Sequence, residues 1–422
     1  MWLVQNAALR RSGDRLYMRL FSGFNRVFFA VGLGILSYGN VAAAVELTFW
    51  EHEFDDVQKG LDKVLKGFEA ANPGIKIKRA HYKTEDLRTQ FQTAAMAGGG
   101  GDVVLAPNDF AGPFSIMNVI QPVGSWAKGE RFTPAGLAAV TDPKGVIWGV
   151  PVSRGNHLML FVNKKLIPKV PETVEELIKV AGEHSNAAKG EYGFAYNLNE
   201  PFWFVTFLAA YGESPLVKAL PQLGTKGMVD ALGLVHDFKF KSKIVPPDCD
   251  YTCAETLFVD GKVGMTINGD WAVDKYHQAL HDFLAIAPLP KLAATGKFMA
   301  PMVSGKYLFL NAKLKGDKLE SAKKLAEYLV SKPVQEQLIK ETGRLPSIKD
   351  LDHSPLISRD PVLQAIDLAM AHGQPMPMDV EMRVVWDAIR PQLQAVMSDR
   401  ADPKVAADVM QKDALSKIKE MR

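Results

Sequence analysis

From Val45 onward, apolar positions alternate between two periods. Val45-Glu46-Leu47-Thr48-Phe49-Trp50 has the two-residue repeat of a strand, and Val57, Leu61, Val64, Leu65 and Phe68 then recur at helical spacing. Asn72-Pro73-Gly74 stops that helix, and Ile75 and Ile77 open a second strand. A second helix is predicted from Thr84, with Leu87, Phe91 and Ala95 on one face. Gly98 to Gly101 break it ahead of a short buried strand, Asp102-Val103-Val104-Leu105. Strand, helix, strand, helix, strand predicts a mainly parallel sheet flanked by helices. Further along, Thr173-Val174-Glu175-Glu176 is a capping box. Val263 to Asn268 reads as a strand behind a helix holding Ala254, Leu257 and Phe258. Another helix opens at Asp317, and the chain beyond Pro361 is mostly helical. The fold class is α/β, with no internal repeat or heptad pattern.

The first 44 residues read differently. Arg10, Arg11, Arg15, Arg19 and Arg26 precede the apolar run Val27 to Leu36, and Val41-Ala42-Ala43-Ala44 follows. A basic flank, a short apolar core and an A-x-A site describe a secretory signal peptide cleaved after Ala44. The run is short of the roughly 20 residues that a membrane span needs. Met18 is an alternative start. No cysteine lies near the cleavage site to carry a lipid anchor, so a freely exported protein is expected.

Composition narrows the function. Of 422 residues, 50 are basic and 47 acidic. Residues 1–44 hold five arginines against Asp14, which leaves 45 basic and 46 acidic residues in the remainder. No basic field is left to hold nucleic acid. Two cysteines exclude a disulfide-rich scaffold. Cys249 and Cys253 form either a disulfide in a non-helical stretch or a pair of free thiols.

Ligands of α/β sheets gather beyond the carboxyl ends of the strands. Four such places here combine aromatic rings with carboxylates or amides: Trp50-Glu51-His52-Glu53, Pro107-Asn108-Asp109-Phe110, Asn197 to Trp203, and Asn268-Gly269-Asp270-Trp271. Rings pack on the C–H face of a sugar while polar groups take its hydroxyls, so a cleft for a polar small molecule is expected. Glu51, Glu53, Asp55 and Asp56 could instead serve a glycoside hydrolase, but an acidic run after a strand is more often a solvated loop or a helix N-terminus. Neither G-x-S-x-G nor H-E-x-x-H occurs. His277 and His281, four apart on a predicted helix, lack a third ligand for zinc. Gly98 to Gly101 lack the Lys-Ser/Thr of a phosphate loop. No metal or cofactor is expected.

Three segments resemble bacterial maltose-binding proteins, among the family 1 extracellular solute-binding proteins of ABC sugar importers. They are Asn197-Leu198-Asn199-Glu200-Pro201-Phe202-Trp203-Phe204, Met265 to Ala272 and Val385-Trp386-Asp387-Ala388-Ile389-Arg390. Gly60 to Gly74 and Asn163-Lys164-Lys165-Leu166 add to a likeness that runs in order from Val45 to the C-terminus. The resemblance implies a two-lobed periplasmic-binding-protein fold of type II, with the ligand cleft between the lobes. One lobe would comprise residues 45–152 plus 288–345, the other 153–287 plus 346–422. Prolines at Val150-Pro151-Val152-Ser153, Ala287-Pro288-Leu289-Pro290 and Leu345-Pro346 would mark the crossings. It also implies a monomeric periplasmic carrier, not an enzyme, that closes on a sugar and delivers it to permease subunits in the inner membrane.

Carried over residue by residue, Glu200 is the glutamate that takes sugar hydroxyls, and Phe202 stands for a tyrosine. Trp271 and Trp386 are stacking tryptophans, Arg390 an arginine at the far end of the cleft and Asp109 an aspartate of the third-strand loop. Trp203 adjoins Phe202, and Trp50 is the first lobe's aromatic group. The chain departs from the family at Phe110 (an arginine there), Ala106 (a tryptophan), Glu53-Phe54-Asp55 (an Asp-Lys pair) and Gly155 or Asn156 (a glutamate). Maltose or a maltodextrin-like oligosaccharide is the expected ligand, with a different sugar or a polyol as the alternative.

Overall fold

Alternation along the first strand sorts its side chains onto two faces. In this computed structural model, which describes residues 44–124, 127 and 129–421, strand β1 (Val45–Glu51) buries Leu47 and Phe49 against helix α1 (Asp55–Ala71). The helix meets them with Leu61, Val64, Leu65 and Phe68. Trp50 points the other way. It joins a second, smaller core with helix α2 (Thr84–Met96), whose Leu87, Phe91 and Ala95 are buried. Strands β2 (Ile75–His81) and β3 (Val103–Ala106) flank β1 in parallel, as the strand–helix–strand order demands. The expected signal peptide lies, Ala44 apart, outside the described residues.

The chain then builds two main sheets. Strand β4 (Val150–Gly155) belongs to the larger sheet, and β5 (Leu158–Asn163) opens a smaller one with β6 (Tyr192–Ala195), β7 (Val263–Gly269) and β8 (Leu284–Ala287). Strand β9 (Met302–Asn311) returns to the larger sheet, and β10 (Leu345–Pro346) adds to its edge. The main orders are β10-β4-β9-β3-β1-β2 and β8-β5-β7-β6. Within this α/β frame, pairing is mixed. Strand β9 lies antiparallel to both β3 and β4, and β5 antiparallel to both β7 and β8, whereas β6 and β7 are parallel. Local periodicity carries no information about the direction of a strand arriving from far along the chain.

The passage from β4 to β5 is short and built on unusual backbone. Gly155 has φ +115°, and a Cβ there would lie 2.1 Å from Asp270 Oδ2. Asn156 has φ 48°, and its N–H donates to the same Asp270 oxygen at 2.8 Å. His157, fully buried, donates from Nε2 to the Ile366 carbonyl at 3.1 Å, within a later helix (Pro361–Ala371).

Two local expectations change. The acidic run after β1 divides: Glu51 and Glu53 are buried rather than solvated, whereas Asp55 and Asp56 form the expected helix N-terminus, that of α1. Glu51 accepts from Arg79 Nε at 3.0 Å and from the Glu53 N–H. His277 and His281 do not share a helix face, because the helix Val273–Leu280 ends before His281, which adopts φ 50°. The cysteine alternatives resolve into a Cys249–Cys253 disulfide spanning the start of a helix. Asp250 caps that helix by accepting from the Cys253 N–H at 2.9 Å. Thr173 likewise caps its own, accepting from the Glu176 N–H at 3.1 Å.

Candidate functional site

Helix α3 (Pro201–Ala210) starts on proline and is apolar nearly throughout, so it must be buried on all sides. Phe202 alone is half-buried. Trp203 donates its indole N–H to the Ile267 carbonyl of β7 at 2.9 Å, which ties the ring to the strand. Where β7 ends, Trp271 meets Trp203 with centroids 6.1 Å apart at 76°. Tyr251, on the first turn of helix α4 (Tyr251–Val259), meets Trp203 at 6.1 Å and 72°. Phe202 sits 5.8 Å from Trp203. Phe202 and Trp203, neighbours in sequence, and the distant Trp271 thus form one aromatic group. Tyr251 completes it. Burial and the nearby Glu255 raise the pKa of its phenol, whose O–H donates to that carboxylate at 3.1 Å.

A fifth ring comes from the segment between β1 and α1. Phe54 lies nearly parallel to Tyr251 (5.4 Å, 24°) and to Trp271 (5.8 Å, 20°). The sequence marks Phe54 only as part of the stretch that replaces the family's Asp-Lys pair, and Tyr251 not at all beyond the cysteines around it. Their meeting depends on segments almost 200 positions apart.

Beside the rings runs a chain of charges. Helix α5 (Glu381–Met397) carries Arg383, Trp386, Asp387 and Arg390 at spacings of three and four, which sets them along one face. Arg390 pairs with Glu200, the residue preceding α3. Arg383 binds Asp387 at 3.1 Å and Glu85 of α2 at 2.6 Å. Burial opposes ionisation of Glu85, but Arg88 and Arg383 prevail and hold its pKa below the usual carboxylate range. Arg88 in turn binds Asp109 at 2.7 Å while its guanidinium lies 4.0 Å over the Phe110 ring.

The remaining expected site residues are packed or paired within the protein. Trp50 packs against Tyr82 (4.8 Å) and Phe91 (6.2 Å), with its ring close over Gly101. Asp109 is 7% exposed and engaged by Arg88. Trp386 is 6% exposed and belongs to the main core, one helical turn before Arg390.

Beneath the segment after β1 lies a buried polar cluster. Arg344 pairs with Glu53, Lys306 Nζ donates to His52 Nε2 at 2.8 Å, and Lys306 stands 3.9 Å from Glu53. All four side chains are buried. Burial pulls the Lys306 pKa down to about 8, against the attraction of Glu53. Burial, then Lys306 and Arg344, holds His52 well below its ordinary value, so it is neutral and its Nε2 accepts the hydrogen bond from Lys306. A cavity of about 20 Å3, walled mostly by Val57, Leu61, Leu105, Val152 and Leu338, adjoins Glu53, Ser153, Lys306 and Arg344. That is room for one water.

The comparisons with known proteins agree with this architecture. A family model described as bacterial extracellular solute-binding protein matches residues 63–365. A maltotriose-binding protein of Pyrococcus abyssi is 24% identical over 84% of this chain and 78% of its own length. A galactooligosaccharide-binding protein of Bacillus subtilis is 26% identical, over 89% and 90%. Among solved structures, the maltose/maltodextrin-binding domain of Bdellovibrio bacteriovorus bound to maltotriose superposes with a TM-score of 0.84. It is 34% identical and covers 89% of this chain and 100% of that one. A Thermus thermophilus maltotriose-binding protein, bound with maltotriose, gives 0.80 at 25% identity, covering 88% and 100%. With two α/β sheets, a run of aromatic strand ends and these matches, the chain has the two-lobed fold of, and belongs to, the bacterial extracellular solute-binding proteins.

Proposed function

We propose that this protein binds a maltooligosaccharide-like sugar between its lobes, closes over it and delivers it to the permease of an ABC importer, without a covalent step. The observation that carries this reading is the aromatic group of Phe202, Trp203, Tyr251 and Trp271 beside the Glu200–Arg390 pair. Flat rings next to fixed charges suit a pyranose, which offers a C–H face and a rim of hydroxyls. The maltotriose bound to the 34%-identical relative favours α-glucans. The Bacillus subtilis relative makes galactooligosaccharides the second reading. The working lobes are residues 45–152 plus 288–345 and 153–287 plus 346–422. The protein acts as a monomer in the periplasm, freed of residues 1–44 and without a lipid anchor. Bonds made to both lobes at once favour the closed state over the open one. Sugar affinity near micromolar, about −8 kcal/mol, allows release to the transporter. Thermal-shift measurements on the mature chain test the reading, with maltose to maltotetraose, galactooligosaccharides, polyols and amino acids as ligands. Maltooligosaccharides should raise the melting temperature by mass action. A response to amino acids alone would remove sugar from the proposal.

A further inference from the structure

Phe54 rests where a sugar is expected to stack. Its ring is nearly parallel to Trp271 and Tyr251, with centroids at 5.8 and 5.4 Å. A pyranose held between two flat rings needs contact distances of roughly 3.5–4 Å on either side, or about 7 Å or more from plane to plane. The 5.8 Å separation leaves no such gap. On the face that Phe54 covers, ring and sugar therefore exclude one another.

The backbone bearing Phe54 is also held. Glu53 is locked by Arg344 and donates its N–H to Glu51, and α1 begins at the next residue, Asp55. Phe54 can uncover these two rings only by turning its own side chain or by moving with the β1–α1 segment. Trp271 and Tyr251 stay in place, braced by Trp203 and by the Cys249–Cys253 disulfide. The two sides of the stack come from chain segments far apart, one leading into α1 and the other flanking β7.

From this geometry we propose that Phe54 is an intramolecular competitor for the ring faces of Trp271 and Tyr251, a specificity-determining residue that a pyranose ring must displace. The inference rests on the sugar-binding reading. It assigns to Phe54 a role opposite to that of an ordinary sugar-stacking ring: removing it strengthens binding. It also favours ligands that contribute enough contact elsewhere to offset the lost aromatic stack.

Calorimetric titration of the mature parent, F54A and F54W with maltotriose tests this. F54A should bind at least fivefold tighter than the parent, and F54W no tighter than the parent. A second measurement needs no sugar: acrylamide quenching of tryptophan fluorescence, with W271F and F54A/W271F used to isolate the Trp271 signal. Quenching of Trp271 should rise in F54A. Unchanged quenching, or F54A binding maltotriose as the parent does or more weakly, overturns the competitor role. If the parent binds maltotriose and F54A gains nothing, only this inference fails. If neither the parent nor F54A binds any sugar of the thermal-shift panel, the sugar reading fails and the competitor with it.

Discussion

Arg390 donates to both carboxylate oxygens of Glu200, so the glutamate that the family resemblance assigns to sugar hydroxyls and the arginine it places at the far end of the cleft hold each other. A two-point pair of this kind fixes the direction of both side chains. It leaves each with capacity for a ligand: the guanidinium has further N–H groups and the carboxylate further lone pairs. E200A and R390M should each raise the dissociation constant for maltotriose about 10- to 100-fold, the weight of roughly 1.5–3 kcal/mol for hydrogen bonds to charged groups. The double variant should lose little more than either single one, because the pair acts as a unit. Calorimetric titration of all three checks this, and additive losses would contradict it. Both side chains are partly exposed, so unfolding stability should fall by no more than about 1 kcal/mol.

Trp271 and Trp386 are separated by burial. Trp386 is sealed in the main core, whereas Trp271 is half-buried under Phe54. W386A should cost about 3–5 kcal/mol of stability, as large-to-small changes of buried aromatics do. W271A should cost less stability and weaken sugar binding by about 2 kcal/mol, as loss of an aromatic anchor does. Urea unfolding and titration on both variants separate the two effects. Equal stability losses would place Trp271 in the core as well.

Lys306 makes stability depend on alkaline pH. Its folded pKa of about 8 lies below the ordinary 10.5, so between these values the unfolded chain binds more protons than the folded one. Stability from this group therefore rises as pH climbs from about 8 towards 10.5, and is constant below about 8. The steepest rise is on the order of 1 kcal/mol per pH unit. His52, Glu53, Arg344, Asp270 and Glu51 supply the surrounding field. Urea midpoints of the parent and K306M from pH 7 to 10 should diverge in slope only above about pH 8. Parallel curves would show that Lys306 titrates normally.

At the passage between the sheets, G155A combines two penalties. The backbone sits at φ +115°, and the new Cβ would come 2.1 Å from Asp270 Oδ2. Backbone strain alone is worth about 1–3 kcal/mol, so a loss above about 2 kcal/mol is expected in denaturant unfolding. D270A alone gives up the bond from the Asn156 N–H, so the contact part is read from the cycle of G155A, D270A and the double variant, which should lose less than the sum of the two singles. Additive losses would mean that the carboxylate turns aside freely.

Periodicity reveals the first three strands and two helices because their information is local: Leu47 and Phe49 against Leu61 and Phe68, Leu87 and Phe91 on a single stripe. It does not reveal that β9 runs antiparallel through the larger sheet, since direction follows from where a distant segment enters. The same division holds at the site. Phe202, Trp203 and Trp271 stand out as rings at strand ends, and the structure brings them together. Tyr251 and Phe54 gain their meaning only from packing. Strand parity also fixes the surroundings of Trp50, which lies on the face opposite Leu47 and Phe49 and therefore under α2. Charge pairing is the least legible part, because Arg88 and Arg390 find Asp109 and Glu200 across long stretches of sequence.

The place of β9, between β3 and β4, fixes the order in which the molecule can be completed. A ribosome that has not yet passed Asn311 has produced a larger sheet with its middle missing, two halves that cannot reach each other. Truncations ahead of Met302 thus leave unpaired strand edges rather than a smaller folded protein. Such far-reaching closure is slow, and the larger sheet stays incomplete until nearly three quarters of the chain has been made.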